Sequence, residues 1–385
     1  MPSVCFVTLS RSDYTSTRPV IRAAMEDEDI NAIVIAGGSH MLKRYGESVN
    51  AIEEDGITIH HRVTFLNEAD DTDADLAHAC ADAVEQFVSL FEEIKPDRIF
   101  IVGDRWEMLA VATAANMLRI PIVHHSGGDI TQGSADNQTR YAITTLSHLH
   151  LVALEEHGER LKRMGEEKWR VIVTGEPALR GLAMEIGEDN KTLAKLGLKR
   201  GSDYVLATFH PTSYDTLPAE DQLQFYLDVL EEIPGTIVLT APNPDAYSGK
   251  FYNDLKAYAD SHDRVRWAEA LGADSYYAAM RHARYMIGNS SSGLWEAPSF
   301  ALPVVNIGNR QKGRVHGPNV LNVPMEMDSV RAAIEKAKSE AFKGTLSPDD
   351  NPYVRKDTIP RIIEACKSIH SRDTLLAKQF VDPLA

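Results

Sequence analysis

The chain has 385 residues, 43% of them hydrophobic and 25% charged, with a formal net charge of −16. That length predicts two domains rather than one, and the composition is that of a soluble globular protein. The acidic balance argues against nucleic acid as the main partner, so an anionic ligand needs a local cluster of donors.

Cys5, Cys80 and Cys366 are scattered and offer neither a disulfide framework nor zinc-ligand spacing. No signal-peptide pattern opens the chain, and no apolar run reaches membrane-spanning length. A cytoplasmic protein with no membrane partner is expected.

In chain order, Val4–Leu9, Ala32–Ala36, Arg98–Val102, Pro121–His124, Leu149–Ala153 and Val171–Val173 read as buried strands. Between them, Asp73–Ile94 repeats Leu76, Cys80, Ala83, Phe87, Leu90 and Ile94 at helical spacing. Met108–Leu118 is apolar on most faces and reads as a buried helix. The pattern pauses over Gly175–Asn190, where Gly175-Glu176-Pro177 breaks structure. It restarts with strands at Tyr204–Ala207, Thr236–Leu239, Val265–Trp267, Tyr285–Ile287 and Val304–Ile307. Strands alternating with helices predict an α/β fold of two Rossmann-like domains facing a cleft. The expected boundaries are 1–178 for the first domain and 190–358 for the second. A helical tail over 359–385 is expected to pack on the first domain.

Ligands of open parallel sheets bind at strand C-terminal ends, and the polar motifs fall there. Strand one runs into Ser10-Arg11-Ser12-Asp13-Tyr14-Thr15, where Arg11 offers a planar donor fork to a diphosphate or is a surface arginine at a helix start. His40, after Gly37-Gly38-Ser39, is placed for acid–base work or for packing. Asp104 falls at the expected N-cap of the next helix, a position aspartate favours, but Arg105 and Glu107 add charges that a cap does not need. The loop from His125 to Arg140 is long for a strand-to-helix connection and carries Asp129, Asp136 and Arg140; Asp136 also suits a cap of helix Asn137–Leu146.

In the second half His210 ends a strand beside Pro211, and Asn243 and Asp245 follow another strand. Gly288-Asn289-Ser290-Ser291-Ser292-Gly293 leads from a strand into an expected helix, whose free N–H groups and dipole suit phosphate. Glu296, one turn on, suits ribose hydroxyls; a serine turn that only caps a helix is the plainer alternative. Arg310-Gln311-Lys312-Gly313-Arg314 is a cationic loop in an acidic chain. No cluster of His, Cys or carboxylates has metal-ligand spacing, so no metal and no cofactor is expected.

Taken together, these motifs resemble the hydrolysing UDP-N-acetylglucosamine 2-epimerases of sialic- and legionaminic-acid-type sugar biosynthesis. The carrying residues run in order through Ser10–Tyr14, Gly38-Ser39-His40, Gly103-Asp104-Arg105, Gly127-Gly128-Asp129 with Asp136 and Arg140–Thr144, Phe209-His210-Pro211, Pro242-Asn243, Gly288–Gly293 with Glu296-Ala297, and Arg310-Gln311 with Gly313-Arg314. The resemblance implies a glycosyltransferase B-type fold and a metal-independent reaction on a UDP-linked 2-acetamido sugar. In it the C2 proton is removed, UDP is eliminated, water adds, and a C2-inverted sugar such as N-acetylmannosamine is released. It assigns Ser290, Ser291 and Arg310 to the diphosphate and Glu296 to the ribose. Asn243 and Asp245 fall near the nucleotide, with Arg11 and Thr15 at the phosphates. Asp104, Asp129, Asp136, His40 and His210 fall around the sugar. A homo-oligomer, dimer or tetramer, is expected.

The chain departs from the family at Ser126, where a glutamate is common, at Tyr141, where a histidine is common, and at Trp295, where an arginine is common. A serine hydroxyl is not a general base at neutral pH without activation, so Asp104, Asp136 or His125 would take over. A modified substrate is the alternative, such as a UDP- or GDP-linked 2,4-diacetamido-6-deoxy hexose. A glycosyltransferase or a non-catalytic nucleotide-sugar binder on the same fold are the further ones.

Overall fold

The computed structural model describes residues 1–382 apart from 184–188, 243–247, 270 and 369. The chain forms two units. Unit 1 comprises Met1–Asp129, Asp136–Gly181 and Tyr353–Ala385, and unit 2 comprises Ile130–Ala135 and Leu182–Pro352.

Unit 1 is built on strands β1 (Ser3–Thr8), β2 (Asn31–Gly37), β3 (His61–Val63), β4 (Arg98–Val102), β5 (Ile122–His125), β6 (Leu149–Val152) and β7 (Val171–Val173). All pair in parallel, in the order β3-β2-β1-β4-β5-β6-β7. Side chains alternate along a strand, so β1 feeds two cores. Cys5 and Val7 pack with Ile99, Ile101 and Phe87 on one face. Val4 and Phe6 pack with Phe100, Val102 and the tail residues Ile362 and Cys366 on the other. Burial on both faces is why these strands read as unbroken apolar runs, each large side chain adding about 1.5–3 kcal/mol.

Unit 2 repeats the plan with β8 (Tyr204–Thr208), β9 (Thr236–Thr240), β10 (Val265–Ala268), β11 (Met286–Gly288), β12 (Val304–Ile307) and β13 (Val320–Val323). Its parallel order is β10-β9-β8-β11-β12-β13. In each sheet the strand order reverses beside the first strand, between β1 and β4 and between β8 and β11. Those crevices are where such sheets bind ligands.

The eleven expected strands form, with ends shifted by a residue or so, and Asp73–Ile94 is helical over the span expected. Two edge strands, β3 and β13, lack a sequence signal because each is partly exposed. The tail, expected to be helical, forms two helices, Thr358–Lys367 and Arg372–Leu376. Ser368, at φ +25°, turns the chain away after the first. Two buried arginines, Arg98 in β4 and Arg170 just before β7, hold these helix ends. Arg98 donates to the carbonyls of Cys366, Lys367, Ser368 and His370. Arg170 donates to those of Leu375 at 2.9 Å and Thr374 at 3.1 Å.

Among the described residues no helix is long and apolar enough to cross a membrane. All three cysteines are free, and burial pushes the Cys5 and Cys366 thiols up to about 12.

Arg98→Ala leaves four helix-end carbonyls without their donor. It is expected to cost about 2–4 kcal/mol in chemical denaturation and to open the tail to limited proteolysis before either sheet is cut.

Candidate active site

At the strand ends of unit 1 the centre of the arrangement is Arg140. It lies on the helix Asp136–Leu146, one turn after Asp136, and its side chain is fully buried. Nη1 donates to the carbonyl of Asp129 at 3.1 Å, and Nη2 pairs with the Asp104 carboxylate. Burial opposes its charge, but the carboxylates of Asp104, Asp129 and Asp136 outweigh burial and hold the guanidinium protonated. Three of the aspartates expected around the sugar therefore surround one cation. Asp104 is not the helix cap. Arg105 occupies that position, without a side-chain capping bond, which leaves Asp104 turned to Arg140. Beside it Arg105 is paired with the buried Glu107 at 3.1 Å. Asp129 also faces His157, with Oδ1 3.5 Å from Nε2.

His40 is wholly buried. Its Nδ1 lies 2.7 Å from Ser48 Oγ and its Nε2 2.9 Å from Thr8 Oγ1. Burial, and then the charge of Arg11, lowers its pKa to about 3, so the imidazole is neutral. Thr8 also donates to Asp13, whose carboxylate takes Ser10 N at 2.9 Å and Ser10 Oγ at 2.9 Å in a capping box. Desolvation still raises Asp13 to about 7. His40 thus braces the β1 turn that begins the helix Arg11–Glu26. On that helix Thr15 Oγ1 donates to the carbonyl of Arg11 at 3.0 Å.

In unit 2 a close backbone approach and an amide side chain tie the strand ends. Gly288 sits at φ +139°, where an added Cβ would lie 1.8 Å from Thr208 O, so only glycine fits between β8 and β11. Asn289 then bridges the two strand ends. Its Oδ1 accepts from His210 N at 2.8 Å, and its Nδ2 donates to His210 O at 2.8 Å. The Asn289 carbonyl accepts from Gln311 Nε2 at 2.8 Å and Arg310 Nη1 at 3.4 Å. Arg314 lies over the Trp295 ring, 4.6 Å from its centroid.

The helix expected after the serine turn is shorter than its sequence suggested. It covers Ser292–Trp295, and a 3₁₀ turn, Ala297–Phe300, follows. Pro298 has no N–H to continue it. The donors of this turn matter more than any dipole of so short a helix. Ser290 and Ser291 are half-buried, and Ser290 Oγ lies 2.9 Å from Ser292 Oγ. Asn243 and Asp245 fall outside the described residues. Gly133 packs on the strand-β12 loop, where a Cβ would meet Asn309 O at 2.3 Å.

Residue-type reasoning did not single out Arg140 as the hub or His125 as a partner of Ser126. The i, i+4 spacing of Asp136 and Arg140 was the available signal for the first. Among the described residues no group of three or more His, Cys, Asp or Glu side chains is placed to hold a metal ion.

Two parallel Rossmann-like sheets, each with polar groups gathered at its switch point, define a protein of the glycosyltransferase B-type fold. The match to the family model described as UDP-N-acetylglucosamine 2-epimerase covers residues 22–367, and the chain belongs to that family. It is 32% identical over 383 residues to a GDP/UDP-N,N'-diacetylbacillosamine 2-epimerase (hydrolyzing) of Campylobacter jejuni, covering 98% of each chain. It is also 32% identical to a UDP-N,N'-diacetylbacillosamine 2-epimerase (hydrolyzing) of Legionella pneumophila, over 97% of this chain and 98% of that one. Among solved structures, the UDP-GlcNAc 2-epimerase of Neisseria meningitidis bound to UDP-GlcNAc superposes with a TM-score of 0.79 at 18% identity, over 94% of this chain and 99% of that one.

Buried histidines make stability pH-dependent. Below about pH 6.5 the unfolded chain binds a proton at His40 that the folded chain refuses down to about 3, so stability falls as pH falls through that window. Burial gives His124, at about 3, and His148, at about 4, the same sign. Asp13 has the opposite sign, because its folded carboxyl keeps a proton between 3.8 and about 7 that the unfolded one releases. The three histidines outweigh it. Unfolding free energy is expected to drop on going from pH 6.5 to 4.5, and His40→Gln should lower that slope by about one proton. An unchanged slope would contradict the burial of a neutral His40.

Proposed function

We propose that the chain is a hydrolysing 2-epimerase of a UDP-linked 2-acetamido sugar, UDP-N-acetylglucosamine or a close relative. The observation that carries this reading is the gathering of Asp104, Asp129 and Asp136 about Arg140 at the strand ends of a member of this family. The names of the 32% identical relatives support it. In this reading C2 loses a proton, the C2–H pair becomes the C1=C2 bond, and UDP leaves with the C1–O electrons. Water then adds its oxygen to C1 while C2 is reprotonated on the opposite face, so two acid–base groups are needed. Asp104 and Asp136 are the leading carboxylates, with Asp129 beside them. His40 and His210 line the sugar region as neutral or bracing groups. The nucleotide falls to unit 2. There Ser290, Ser291 and Arg310 receive the diphosphate, Glu296 the ribose, and Asn243 and Asp245 the remaining polar groups. Arg11 and Thr15 add phosphate contacts. The same reading includes a cytoplasmic homo-oligomer, dimer or tetramer, which light scattering would check.

A second reading has specific support. The two relatives above are named for a diacetylated substrate, which favours a UDP- or GDP-linked 2,4-diacetamido-6-deoxy hexose as the sugar handled.

Incubating the protein with a panel of UDP- and GDP-linked sugars, without any acceptor, and identifying the released sugar by NMR tests the function. A C2-inverted free sugar is expected, and the best substrate decides between the two sugars. Release only when an acceptor is added would mark a glycosyltransferase. Arg310→Ala should weaken UDP binding by about 1–3 kcal/mol in calorimetry. Unchanged affinity would contradict the diphosphate assignment.

A further inference from the structure

Strand β5 ends in a histidine–serine pair that the reading above leaves unused. Ser126 Oγ lies 2.8 Å from His125 Nδ1. On the far side of the ring, His125 Nε2 lies 3.0 Å from the Gly175 carbonyl and 3.3 Å from Thr174 Oγ1. A carbonyl only accepts, so the ring proton sits on Nε2 and Nδ1 is left to accept the serine hydroxyl. The imidazole is wholly buried and Ser126 is 6% exposed. Its ring therefore reaches outward only through the serine.

Two further observations point to a chemical use. Ser126 adopts φ +76°, a left-handed conformation that strains a residue other than glycine. Glycine, already present at the two following positions, would sit there unstrained; what serine adds is its hydroxyl. The neighbouring turn is also locked to the pair, because Gly103 N donates to the His125 carbonyl at 3.1 Å. Asp104 follows Gly103 directly, so pair and carboxylate stand on adjacent strand ends of one sheet.

We propose that Ser126 and His125 form a proton-relay dyad, serving one face of the sugar C2 while the aspartates about Arg140 serve the other; this rests on the 2-epimerase reading. Ser126 Oγ takes the C2 proton as its own proton passes to His125 Nδ1. The C2–H electron pair forms the C1=C2 bond, and the C1–O bond breaks with its electrons on UDP. In the hydration step a carboxylate takes a proton from the water whose oxygen bonds C1 and delivers it to C2. The imidazolium then returns its proton to solvent through Ser126. Ser126 is the catalytic residue of the dyad and His125 the group that activates and positions it.

The test compares Ser126→Gly, Ser126→Ala, His125→Gln and the double variant S126A/H125Q. Ser126→Gly should melt no lower than the wild type, since it relieves backbone strain, yet lose at least about 10²-fold in kcat. Ser126→Ala and His125→Gln should lose comparable kcat with KM and UDP affinity little changed. The double variant should be no worse than either single one, as for groups that act as a unit. The kcat–pH profile should change in the same way in Ser126→Gly, Ser126→Ala and His125→Gln. Ser126→Gly or Ser126→Ala within about threefold of wild-type kcat, on a wild type that does turn over, overturns the dyad and leaves the epimerase reading intact. A wild type that releases no C2-inverted sugar from any nucleotide sugar overturns both. Should His125→Gln fail to fold, the two serine variants and their pH profiles decide alone.

Discussion

A guanidinium with no solvent exposure is the constraint on which unit 1 depends. Stripping such a charge of water costs several kcal/mol even after relaxation, and only close counter-charges restore the balance. Arg140 obtains them from Asp104 after β4, Asp129 after β5 and Asp136 at its own helix start. Meeting that electrostatic demand sets the shape of the strand ends. The β4 turn, the Gly127-Gly128 turn and the first turn of the helix Asp136–Leu146 must all close on one point. Carboxylates that would otherwise repel one another are held together by the shared cation, a geometry suited to proton transfer.

Unit 2 joins its strand ends through backbone contact and an amide bridge. Gly288 brings two strands into backbone contact, and Asn289 then bonds both ways to His210. The resulting edge is bordered by the guanidinium groups of Arg310 and Arg314. In a chain of net charge −16 such an edge is a local exception, and it suits an anion. The two sheets share one strand order, with different groups gathered at their switch points.

Much of the fold was legible because parallel strands buried on both faces must be continuously apolar, and helices such as Asp73–Ile94 must repeat at helical spacing. The edge strands β3 and β13 were not legible, since partial exposure lets polar residues such as Arg62 and Asn322 interrupt them. The length of the helix after the serine turn could have been read from Pro298. Assignment of Ile130–Ala135 to unit 2 could not, because it rests on long-range bonds such as Gln132 N to Lys312 O at 3.0 Å. At the site, residue types and their strand-end positions were visible in the chain. The partnerships were not: that Asp104 meets Arg140 rather than capping a helix, and that His40 has hydroxyls on both ring nitrogens, depend on packing between distant segments.

The central claim is that C2 of the sugar is deprotonated and reprotonated in the course of UDP loss. Turnover of the preferred nucleotide sugar in D₂O, followed by NMR of the released sugar, tests it most directly. The account predicts a free sugar with inverted C2 carrying one deuterium there. A released sugar with protium at C2 and retained configuration would contradict it and leave a simple nucleotide-sugar hydrolase.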